Sequence, residues 1–67
     1  MKLAVDGLTP QQRRVVELLV AGKRPREIAL AMRVSDVTVR HYIQDVYDRL
    51  KVHSRGELIA RALGGAA

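Results

Sequence analysis

The chain has no cysteine, no tryptophan and no phenylalanine. Without cysteine, neither a disulfide framework nor a thiolate metal site can staple it. Its two histidines, His41 and His53, are too few for a zinc site unless several carboxylates join them. No metal and no cofactor are therefore expected. Aromatic side chains are limited to Tyr42 and Tyr47, and binding single strands by base stacking needs more platforms than that. No apolar run approaches the roughly 20 residues that span a bilayer, and no membrane partner is expected. The N-terminal stretch Met1-Lys2-Leu3-Ala4-Val5-Asp6-Gly7 is too short and polar for a signal peptide, which makes the cytoplasm the expected location. Strand-like alternation, internal repeats and linkers are missing as well.

The 67 residues suffice for one small domain with a modest, helical core. Twelve Lys and Arg stand against seven Asp and Glu, a net charge of +5. So large an excess on so small a body favours a polyanionic partner, nucleic acid before an anionic membrane surface. Nine of the twelve cations are arginine, whose planar fork suits phosphate and guanine edges.

Start and stop signals divide the chain into four helical segments. Thr9-Pro10-Gln11-Gln12 combines a capping residue, a first-turn proline and a capping-box partner. Val15, Val16, Leu18 and Leu19 then supply a buried face, and Gly22 is a good terminator. Pro25 pushes Arg24 out of the helical region and so opens a second helix, with Ile28, Ala29 and Met32 as its inner stripe and a tight turn at Arg33-Val34. Ser35 caps a third helix running to about Leu50, with Asp36 against the positive end of its dipole. Ser54-Arg55-Gly56-Glu57 is a second capping box opening a fourth helix, which carries Leu58, Ile59, Ala62 and Leu63 and ends at Gly64. The tail Gly64-Gly65-Ala66-Ala67 is expected to fray.

The third helix has two faces. At about 100° per residue, Val39, Ile43, Val46 and Leu50 fall in one narrow sector, as a buried stripe should. Arg40, His41 and Gln44 cluster on the far side, flanked by Val37 and Asp48. Arginine pairs in bidentate fashion with guanine O6 and N7, and glutamine with adenine N6 and N7. These three residues occupy the first half of the helix, the part of a recognition helix that meets base edges. Polar residues on an outer helix face are commonly just solvated. The short helix before this one, the tight turn and the positive charge favour base reading.

Leu8-Thr9-Pro10, Gly22, Glu27-Ile28-Ala29, Val34-Ser35, Thr38-Val39-Arg40 and Leu50-Lys51-Val52-His53-Ser54-Arg55 occur in the order and spacing of the LuxR-type helix-turn-helix family. The chain resembles that family from about Leu8 to Leu63, and residues 1–67 are expected to form a single domain of this type with its core at about 8–63. The resemblance implies an all-α, compact four-helix domain whose second and third helices form the motif. It implies a transcriptional regulator, either a stand-alone protein or the effector domain of a response regulator. Family members read bases from positions matching Arg40, His41 and Gln44, and hold phosphates from positions matching Arg24, Arg26, Ser35, Thr38 and Arg49. The family commonly forms dimers through the fourth helix, which makes Leu58 and Ala62 the expected contacts of a weak homodimer. Four departures stand out. Gln12 replaces a glutamate, Arg24 replaces a capping Ser or Thr, Tyr42 replaces a common histidine, and Lys51 replaces a Gly or Asn.

Sequence-specific binding of double-stranded DNA is thus the leading expectation. The alternative is a helix-turn-helix used to contact RNA polymerase or another regulator, in which case Asp45 and Asp48 would be the useful residues. No catalytic residue is identified: Ser35, His41 and Asp45 point to different sides or lie turns apart, and Gly22 is a helix end rather than part of a phosphate loop.

Overall fold

The computed structural model describes residues 6–64. Four helices follow one another: α1 (Pro10–Val20), α2 (Pro25–Met32), α3 (Asp36–Leu50) and α4 (Arg55–Ala62). There is no strand among the described residues, so the domain is all-α as expected. Residues 1–5 and 65–67, which include most of the polar N-terminal stretch and most of the tail expected to fray, lie outside the described residues.

Each helix starts where a side chain can replace a missing backbone partner. At α1 the capping box is complete: Thr9 Oγ1 accepts the Gln12 N–H at 3.1 Å, and Gln12 Oε1 accepts the Thr9 N–H at 3.0 Å. Ser35 caps α3 through the Thr38 N–H at 3.1 Å, with Asp36 in the first turn. Ser54 caps α4 through the Glu57 N–H at 3.1 Å. The Glu57 carboxylate reaches past that cap to the His53 N–H at 3.3 Å, so the second capping box is displaced by one residue. At α2 a guanidinium cannot accept a hydrogen bond, so Arg24 provides no side-chain cap. The return half survives, with Glu27 Oε1 accepting the Arg24 N–H at 2.8 Å.

Three of the four helices end in the same way. Lys23, Val34 and Val52 donate their N–H groups back to Leu18, Ala29 and Tyr47 at 3.0, 3.1 and 3.1 Å. Gly22, Arg33 and Lys51 donate to Leu19, Leu30 and Asp48 at 3.0, 3.3 and 3.4 Å. These paired bonds are those of the Schellman ending, which needs a left-handed residue at the turn. Gly22 takes that conformation at φ 88° without steric cost, whereas Arg33 and Lys51 take it at φ 57° and 56°. A side chain with a Cβ costs about 1–2 kcal/mol in this region.

Two further arginines satisfy carbonyls at helix ends. Arg55 Nη2 donates to Leu19 O at 3.3 Å and to Lys23 O at 3.0 Å, tying the start of α4 to the end of α1. Arg61 Nη1 donates to Leu50 O at 3.0 Å, at the end of α3. Cations belong at the negative end of a helix dipole. These two charges therefore serve the fold.

The core is wholly aliphatic. Val15, Val16, Leu18 and Leu19 of α1 meet Ile28 and Ala29 of α2, Val39, Val46 and Leu50 of α3, and Leu58 and Ala62 of α4. No polar or charged residue is buried among the described residues. Helix α3 packs on both α1 and α2, while α4 packs chiefly on α1. Ile43, Met32 and Ile59 are only half-buried. Val52, not expected in the core, is buried because the Schellman turn at Lys51 folds the chain back over α3.

One expectation is corrected here. Leu58 and Ala62 are each 0% exposed, so they are not available as contacts of a homodimer. An eight-residue helix has one apolar stripe, and in α4 that stripe closes the core over α1. Leu63, at 54% exposure just past the end of α4, the exposed Ala60 and the half-buried Ile59 are the apolar residues left accessible here.

Two stability predictions follow from the helix ends. Lys51→Gly should stabilise the domain by about 1 kcal/mol, read as a higher urea midpoint with unchanged slope. A lower midpoint would contradict the left-handed turn. Arg55→Ala should destabilise by about 1–3 kcal/mol, because it strips a charged donor from two carbonyls. Arg26→Ala, which removes an exposed side chain, should stay within about 0.5 kcal/mol of the parent in the same denaturation series.

Candidate nucleic-acid interface

Burial settles which way α3 faces. Val39 and Val46 are 0% exposed and Leu50 is 6% exposed, so the opposite side of the helix is bare. Arg40, His41 and Gln44 are all exposed on that side. The structure thus brings together the three residues singled out from periodicity, within two turns of one another. Val37 shares the face and is 56% exposed. It gives an otherwise polar surface one aliphatic group at its N-terminal end.

The helix-turn-helix geometry comes from the short connection between α2 and α3. Only Arg33, Val34 and Ser35 separate Met32 from Asp36. The left-handed Arg33 reverses the chain, Val34 tucks inward half-buried, and Ser35 caps the next helix. A continuation in ordinary helical conformation at Arg33 would extend α2 and carry α3 away from the core.

The flanking polar residues divide into two groups. Arg24 and Arg26 are exposed at the start of α2. Because Arg24 offers no side-chain cap, first-turn amides of α2 have no intrahelical partner and point outward with the dipole. Two guanidinium groups and a helix N-terminus thus share one end of the motif. Ser35 and Thr38 lie at the start of α3, with Ser35 Oγ 2.9 Å from Thr38 Oγ1. That contact uses one hydroxyl hydrogen and leaves the other free to donate outward. Arg49 is not brought together with the others. It is exposed in the last turn of α3, about two and a half turns beyond Arg40, and so emerges on the opposite side of the helix.

One contact on this face was not legible in the sequence: Gln44 Nε2 donates to Asp48 Oδ1 at 3.1 Å. Their spacing of four residues permits such a bond on any helix, but only the structure shows that these two rotamers adopt it. Among the described residues no group of three or more His, Asp or Glu is placed to hold a metal ion. No described helix is long and apolar enough to cross a membrane.

Comparison with known proteins agrees with this architecture. The family described as "Bacterial regulatory proteins, luxR family" matches residues 6–62. The chain is 42% identical over 57 residues to the probable HTH-type transcriptional regulator GfsR of Streptomyces halstedii, covering 85% of this chain and 24% of that protein. It is 38% identical over 55 residues to the transcriptional regulatory protein DesR of Bacillus subtilis (strain 168), covering 82% of this chain and 28% of DesR. It is likewise 38% identical over 56 residues to the spore germination protein GerE of Bacillus subtilis (strain 168), covering 84% of this chain and 76% of GerE. The chain therefore spans about a quarter of GfsR and DesR but most of GerE. The match embraces all four helices and both faces of α3, and the chain belongs to the luxR family of bacterial regulatory proteins.

Proposed function

We propose that residues 1–67 form a single DNA-binding domain that regulates transcription in the cytoplasm by inserting the N-terminal half of α3 into the major groove of double-stranded DNA. The observation that carries this reading is the bare face of α3, where Arg40, His41 and Gln44 stand exposed opposite a fully buried aliphatic stripe. Arg40 takes a guanine edge, Gln44 an adenine edge, and His41 donates to a purine N7 or O6. Val37 suits the C5-methyl of thymine. Arg24 and Arg26, with the open amides of α2, hold one phosphate run; Ser35 and Thr38 hold phosphate beside the start of α3. Nothing in this scheme calls for a cofactor or for catalysis.

Self-association belongs to the same reading. A weak homodimer through α4 would meet at Leu63 and Ile59, with Leu58 and Ala62 behind them in each core. Half-sites would then lie about one helical turn apart, roughly 10 base pairs. A second reading, contact with RNA polymerase, is favoured by Leu30. It is 73% exposed on the outer side of α2, where core packing has no use for it.

In vitro selection from a random duplex library tests the proposal directly, since it reports site, symmetry and specificity together. Enrichment of a defined motif, repeated at that spacing if the domain pairs, is the expected outcome. No enrichment above random duplex would overturn base reading and leave the protein-interaction alternative. On the selected site, Arg40→Ala should cost about 1–3 kcal/mol and relax the preference at one base pair. Arg26→Ala should weaken all duplexes about equally and lower the salt slope by about one.

A further inference from the structure

Gln44 differs from Arg40 and His41 in that its side chain is held by a bond within α3. Its Nε2 donates to Asp48 Oδ1 at 3.1 Å across one helical turn, and both residues are exposed. A carboxylate can only accept, so this contact fixes which end of the amide faces Asp48. A glutamine amide carries one carbonyl oxygen and two N–H donors. With one N–H given to Asp48, Gln44 presents an acceptor and a single donor.

That remaining pattern matches one purine. Adenine offers the N6 donor and the N7 acceptor in the major groove, whereas guanine offers two acceptors, O6 and N7. An unrestrained glutamine can turn both N–H groups toward guanine. Gln44 cannot do so without breaking its bond to Asp48. The carboxylate charge acts in the same sense, since it lies on the reading face and disfavours an acceptor-only edge. Asp45, the residue after Gln44, carries the same charge, is exposed and has no bond to Gln44.

We propose that Asp48 is a positioning residue that sets the Gln44 amide to accept adenine and reject guanine at one base pair of the binding site. The inference rests on α3 being the groove helix. Asp48 lies in the C-terminal half of α3 and acts through Gln44, making no base contact of its own. It also accounts for an acid on the face of a helix that must approach a polyanion. The general loss of affinity from one negative charge is exchanged for discrimination at one position.

The test uses the selected duplex and the full chain. Gln44→Ala first identifies the base pair that Gln44 reads. The ratio of affinities for adenine and guanine at that position is then measured for the parent, Asp48→Ala, Asp48→Asn and Asp45→Asn, with helicity checked by circular dichroism. Asp48→Ala should lower the ratio about fivefold, the worth of one hydrogen bond, and Asp48→Asn, whose amide can either accept from or donate to Gln44, should lower it less, while both bind every duplex more tightly through lost repulsion. Asp45→Asn should tighten all duplexes similarly and leave the ratio unchanged, which separates positioning from bulk charge. An unchanged ratio in Asp48→Ala, or an equal shift in Asp45→Asn, overturns the proposal while the DNA-binding reading stands. So does the finding that Gln44→Ala alters no base preference. If the parent itself shows no sequence preference, the groove assignment of α3 falls and the proposal falls with it.

Discussion

The aliphatic stripe of α3 must be clasped by α1 and α2, and the remaining features of the domain depend on that contact. Val39, Val46 and Leu50 have almost no exposure, and an α-helix offers only one face to a core of this kind. Once that face is occupied, the position of every other side chain on α3 is set by the helical repeat. The bare face is thus a geometric consequence of the packed one. A core without buried polar groups suits this arrangement, because nothing in it requires a particular hydrogen-bonded register. Side-chain shape and the connections between helices fix the packing instead.

Those connections explain how short helices hold a definite arrangement. α2 and α4 have eight residues each, too few to be stable helices in isolation. The Ser54 cap of α4, the Glu27 bond to the Arg24 N–H at α2 and the Schellman turns before both helices keep each one aimed at the core. Arg55 adds a long-range tie from α4 to the last turn of α1 and the loop beyond it. Charge in this domain therefore has two roles. Arg55 and Arg61 donate to carbonyls at or just past helix ends, whereas Arg24, Arg26 and Arg40 project from the surface that carries the motif.

Most of the fold was legible in the sequence because its signals are local. Thr9-Pro10, Gly22, Pro25, Ser35 and Ser54 mark helix boundaries through backbone chemistry acting over three or four residues, and all four helices begin where those residues indicate. The outward trio was legible for the same reason, since helical periodicity needs no tertiary information. Three features depended on the assembled structure. The burial of Leu58 and Ala62 reflects how closely α4 approaches α1, a distance that the apolar pattern of α4 does not encode. The bonds from Arg55 to Leu19 and Lys23 join residues far apart in the chain. The orientation of Gln44 depends on a choice of rotamer among several that the helix allows.

The left-handed arginine and lysine at Arg33 and Lys51 bear on how much change the domain can absorb. Small domains have only a few kcal/mol in hand, and two strained turn residues consume a fraction of that reserve. Both strained residues are exposed cations of a chain whose net charge is +5. The margin spent there is unavailable to offset a cavity in the aliphatic core, where losing even one methylene is felt. The domain is therefore least tolerant of substitution in its core, and a change that relaxes either turn would widen the range of core variants able to fold.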